Sequence, residues 1–66
     1  MTRRLTVSVP NGTGMTIVEG QPYPVFGEDK MVSKIDQIGS NSYMVLFPDG
    51  NCKVWEGDNV VSTEGF

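Results

Sequence analysis

The chain has 66 residues, with eight glycines, four prolines, one cysteine, no histidine and a net charge of −3. That length sustains a single domain, residues 1–66, with a core one side-chain layer deep, because a domain this small buries only about 60% of its unfolded-chain surface. Lack of histidine removes the usual general base and the commonest metal ligand, the lone Cys52 excludes an internal disulfide or a thiolate cluster, and the scattered acidic balance disfavours non-specific binding to phosphate backbones.

The first apolar run is Leu5 to Val9, where Leu5, Val7 and Val9 alternate with Thr6 and Ser8. Such alternation gives a strand one apolar and one polar face. The basic start, Met1-Thr2-Arg3-Arg4, leads into this broken pattern and not into the continuous apolar run of a signal peptide or a membrane span. Small secreted domains also tend to be rich in disulfides. The reading is therefore a cytoplasmic chain that does not enter a membrane.

Pro10-Asn11-Gly12-Thr13-Gly14 ends the first run. Met15 to Val18 and Tyr23 to Phe26 are two short extended pieces joined by a turn at Glu19-Gly20-Gln21-Pro22, together reading as an irregular hairpin thrown out from the sheet. Met31 to Ile38 is the next strand, with an imperfect alternation that a bulge or bend would repair. Tyr43 to Phe47 is a strong strand, with Tyr43, Val45 and Phe47 on one face and Met44 and Leu46 on the other.

Phe47-Pro48-Asp49-Gly50 is the sharpest local signal. Proline presets φ for the first central turn position, aspartate suits the second, and glycine takes the left-handed position that follows. It predicts a tight hairpin into Asn51 to Trp55. Glu56-Gly57-Asp58-Asn59 predicts one turn of 3₁₀ helix, and Val60 to Ser62 a last short strand, followed by a tail. No window carries a helical apolar period, so the chain reads as all-β.

This order of strand, long irregular loop, three-stranded meander, short turn and final strand resembles the five-stranded SH3-like barrel. The long loop would correspond to the RT-type loop, Phe47-Pro48-Asp49-Gly50 to the distal hairpin, and Glu56-Gly57-Asp58-Asn59-Val60-Val61 to the short 3₁₀ turn leading into the last strand. The runs Val18-Glu19-Gly20-Gln21-Pro22-Tyr23-Pro24-Val25 and Tyr43-Met44-Val45-Leu46-Phe47-Pro48-Asp49-Gly50, with Trp55 beyond, are similar to small SH3-like proteins encoded by bacteriophages. The resemblance implies a barrel fold and a function of docking on other macromolecules. Peptide-binding SH3 domains open the RT-type loop with acids and aromatics, whereas Asn11-Gly12-Thr13-Gly14 carries neither, which argues against proline-rich ligands.

Catalytic constellations are missing. Without histidine no Ser-His or Cys-His pair can form, and Cys52 reads as a buried structural thiol. The neighbouring acids Glu28-Asp29 and Glu56/Asp58 fall in turns and read as solvated. So small a core also leaves little room for the deep, water-excluding pocket of ~300 Å³ or more that small-molecule sites usually need. No cofactor or metal is expected. The candidate binding residues are Trp55, Tyr23, Pro24, Phe26 and Asp58. Trp55 leads because strand parity sets it opposite Cys52 and Val54, hence outside if Val54 is inside, and exposed Trp and Tyr are the usual interface anchors; the equal alternative is that Trp55 covers the end of the barrel. The expected function is a non-enzymatic adaptor or inhibitor that binds a larger protein. The alternatives are a nucleic-acid-binding barrel, disfavoured by five cations against eight acids, and a homo-oligomeric structural component.

Overall fold

A computed structural model describes residues 2–9, 14–24 and 29–66. Its strands are β1 (Arg4–Ser8), β2 (Gly14–Val18), β3 (Lys34–Gly39), β4 (Ser42–Leu46), β5 (Cys52–Glu56) and β6 (Val60–Glu64), with one 3₁₀ turn at Gly57–Asn59. They form two antiparallel sheets, ordered β2-β1-β6 and β3-β4-β5. The all-β class and the 3₁₀ turn before the last strand agree with the expectation from sequence.

The closed five-stranded barrel does not. Among the described residues there are six strands, and their ladders remain two separate sheets. The difference lies in β2 (Gly14–Val18), whose residues Met15 to Val18 are expected from sequence in the irregular hairpin. It pairs along its whole length with β1, setting Leu5 opposite Ile17 and Thr6 opposite Thr16. Matching parity explains the choice, since Leu5 and Ile17 are both fully buried while the two threonine hydroxyls meet at 3.4 Å on the other face. The second half of that hairpin, Tyr23 to Phe26, forms no strand at Tyr23 and Pro24, and Val25 and Phe26 lie outside the described residues.

A narrow backbone ladder shapes the long connection from β2 to β3. The Gly20 N–H donates to the Val32 carbonyl, Val32 to Gln21 and Tyr23 to Lys30, at 2.8, 2.9 and 2.8 Å. Val32 and Ile35 are both buried although three residues apart. A strict strand cannot do that, so β3 starts only at Lys34. A second irregularity between Gln37 and Gly39 leaves Ile38 exposed.

Leu5, Val7 and Ile17 of the first sheet share one core with Ile35, Tyr43 and Val45 of the second, and Val32, Tyr23 and Phe47 fill its sides. Each such aliphatic side chain contributes roughly 1.5–3 kcal/mol relative to exposure. The faces of β4 are as expected: Tyr43, Val45 and Phe47 are buried, and Met44 and Leu46 only partly so. Register then decides β5. Tyr43 faces Trp55 and Val45 faces Lys53, so Trp55 and Lys53 stand on the core side, while Cys52 and Val54 face outward opposite Leu46 and Met44. The expectation of a buried Cys52 is thereby corrected, for the thiol is exposed.

A polar clasp joins the sheets where β2 ends. One Glu19 carboxylate oxygen accepts the Arg3 backbone N–H at 2.9 Å, and the other accepts that of Ile35 at 2.8 Å. The Arg3 guanidinium returns the link, donating to the Ile35 carbonyl at 2.8 Å and to Asp36 at 3.2 Å. Desolvation pushes the Glu19 carboxyl upward, but the Ile35 and Arg3 amides and the Arg3 charge outweigh it and hold the group below its ordinary value. The last residues belong to this end of the molecule. A Cβ on Gly65 would sit 2.7 Å from the Thr2 carbonyl oxygen. That close approach sets Phe66 edge-on to Tyr43, with the Arg3 guanidinium 5.1 Å from its ring centre.

The distal hairpin forms as read. The Gly50 N–H donates to the Phe47 carbonyl at 3.1 Å, and Gly50 has φ of 91° with open space around it. Asp49 accepts the Asn51 backbone and side-chain N–H groups, each at 3.0 Å, and the Asn51 amide leads in lowering its pKa. Since the obstacle at Gly50 is conformational and not steric crowding, Gly50→Val should destabilise the domain by about 1 kcal/mol or more in chemical denaturation. An unchanged midpoint would show that residue 50 does not need the left-handed conformation.

Candidate functional site

Three segments that are distant in sequence bring an aromatic group together. Phe47 sits where β4 runs into the distal turn, Trp55 stands on the core side of β5, and Tyr23 is held by its backbone bond to Lys30. Tyr23 and Phe47 pack edge to face with centroids 5.0 Å apart, an arrangement favoured by the ring quadrupoles. The Trp55 indole N–H donates to the Tyr23 hydroxyl oxygen at 3.3 Å. Trp55 is half-buried and packs against the core, whereas Tyr23 and Phe47 are buried.

These rings line a half-open groove of about 410 Å³ between the two sheets. Met15 of β2 and Val9, just past β1, add apolar surface from the first sheet, and Lys30, Asn51 and Lys53 supply polar groups. The volume lies in a recess open to solvent and not in the deep, water-excluding kind of pocket for which so small a domain is expected to lack room. The groove is half-open to solvent, so it needs no enclosed core. Its aromatic groups give a rigid apolar surface of low conformational-entropy cost, and its polar groups are hydrogen-bond donors beside it.

The two lysines differ in their surroundings. Lys30 lies 4.9 Å from the Phe47 ring centre and 3.5 Å from an Asp49 carboxylate oxygen. Lys53 has no acidic partner among the described residues, although it shares the core-side face of β5 with Trp55, two positions on. No carboxylate is among the described lining residues. No cluster of three or more metal-ligating side chains occurs among the described residues, and no described helix is long and apolar enough to cross a membrane.

Two of the five residues singled out from sequence, Trp55 and Tyr23, come together here. The parity behind Trp55 holds as an alternation but with its sense reversed. Val54 is outside, and Trp55 leans inward over the groove because it pairs with buried Tyr43. Pro24 is exposed and is not among the lining residues; Asp58 is exposed in the 3₁₀ turn, also outside the groove. Phe26 lies outside the described residues. Sequence reasoning missed Phe47, Lys30 and Lys53. For Lys53 the signal was present, since residues two apart on a strand share a face. For Lys30 only the fold of the long connection supplies it.

No family model, curated protein or solved structure matches the chain. A double-mutant cycle of Trp55→Phe and Tyr23→Phe should give a coupling of about 0.5 kcal/mol in thermal or chemical unfolding, as expected for one long neutral hydrogen bond. A coupling of zero would mean that the indole and hydroxyl contribute independently.

Proposed function

We propose that this protein is a non-enzymatic binding module that docks on a larger cytoplasmic protein, as an adaptor or inhibitor, through the groove of Tyr23, Phe47 and Trp55. One observation carries the reading: a half-buried tryptophan beside an open aromatic groove between two small sheets. Aromatic anchors in well-packed surface recesses carry most of the energy of protein interfaces. Against catalysis stands the chemistry of the groove: its described lining offers ammonium, amide, phenol and indole groups and the Cys52 thiol, but no imidazole or carboxylate to act as general base beside that thiol. Within the same proposal the architecture is a variant of the SH3-like barrel, of the kind small bacteriophage proteins use. The distal turn at Phe47 to Gly50 and the 3₁₀ turn leading into β6 support that kinship.

The test is binding and unfolding measured together on the same variants, with a partner captured from nuclease-treated lysate and then purified. Trp55→Ala should cost roughly 2 kcal/mol or more of affinity. Its loss of stability is measured separately, because Trp55 packs on the core. Arg4→Ala should leave affinity unchanged, since Arg4 is remote from the groove and only meets Glu64 at 3.5 Å. Binding to nucleic acid with a steep salt dependence would replace the proposal with the alternative class.

A further inference from the structure

Local charge at the groove is opposite in sign to that of the whole molecule. The chain carries a net −3, yet the described lining contains two lysines, one asparagine and no acid. The other three cations lie elsewhere and are engaged: Arg3 and Lys34 with Asp36, Arg4 with Glu64. Lys53 alone lacks an acidic partner among the described residues, and β5 presents it on the same side as Trp55.

We infer that the groove takes an acidic segment of the partner protein. An aromatic or long aliphatic side chain lies against Trp55 and Tyr23, and a neighbouring carboxylate meets the ammonium groups of Lys53 and Lys30. This rests on the binding-module reading and adds the partner's chemistry to it. Three observations select that occupant. A cationic ligand would meet two ammonium groups, and Lys30 already occupies one face of Phe47 at 4.9 Å. A nucleic-acid strand needs a track of cations along several phosphates, and the remaining cations are paired away from the groove. A carboxylate instead gains both lysines, with Lys30 shared with Asp49, whose Oδ2 is 3.5 Å away. Opposite charge around an apolar anchor mainly selects the partner and speeds encounter.

The experiment titrates the isotopically labelled protein with three acetylated, amidated tripeptides, Glu-Phe-Glu, Gln-Phe-Gln and Lys-Phe-Lys, and with a hexathymidylate, following the Trp55 indole N–H by NMR. The acidic peptide should bind about fivefold more tightly than its glutamine counterpart, the magnitude of two partly exposed ion pairs. The preference should vanish in Lys53→Gln combined with Lys30→Gln, and shrink in about 0.5 M salt. Both lysines are at the surface, and the unfolding midpoint of the double variant verifies its fold. Equal binding of the acidic and glutamine peptides at Trp55 would overturn the charge inference and leave the binding-module reading standing. Tightest binding by Lys-Phe-Lys or by the oligonucleotide would overturn it in favour of that ligand class. No shift at Trp55 with any peptide would also overturn it, and partner capture with the Trp55→Ala variant then decides separately whether the binding-module reading falls too.

Discussion

The arrangement of the two sheets depends on one carboxylate. Glu19 uses both oxygens on backbone N–H groups from opposite sheets, Arg3 before β1 and Ile35 in β3. Hydrogen bonds to an ionised acceptor are about twice as strong as neutral ones. Their geometry is also specific, because a carboxylate presents two acceptors at a set spacing. Arg3 completes the loop through the Ile35 carbonyl and Asp36. Apolar burial alone would hold the sheets together without defining how they lie. The clasp gives that contact a register.

A domain with a shallow core meets two demands with the same residues. Tyr23 and Phe47 belong to the core and also line the groove. On the proposed binding role, recognition and stability are therefore coupled, and a change at Tyr23 or Phe47 alters both the groove and the core. The edge strand β5 is where they separate best. Val54 faces away from the core, Cys52 shares that outward parity yet borders the groove at the start of the strand, and Lys53 reaches the groove from the core side without being buried.

Local signals in the sequence were legible where local chemistry decides the backbone. The Phe47 to Gly50 turn, the alternation of β4 and the 3₁₀ turn at Gly57–Asn59 all depend on residues within a few positions of one another. Partnerships were not legible. Whether Gly14–Val18 pairs with β1 or with the Tyr23 stretch depends on which neighbour offers a matching apolar register, and several short strands here have similar patterns. The inward lean of Trp55 shows the same limit. Alternation tells that Trp55 opposes Val54, but only pairing with buried Tyr43 tells which of them faces in. The Glu19 clasp was invisible for a further reason: in sequence it is one acid in a predicted turn, and its partners lie 16 residues away on either side.

The most direct test is a carbon-13 NMR titration of the Glu19 side-chain carboxyl, with amide exchange at Arg3 and Ile35 followed in the same samples. A carboxyl held below its ordinary value contributes stability above that value and loses it as pH falls through the folded-state pKa. The expected result is a Glu19 midpoint below 4.5, with protection of the Arg3 and Ile35 amides falling together as the group protonates. A midpoint at or above 4.5, with the two amides exchanging independently of Glu19, would contradict the claim that this carboxylate joins the sheets.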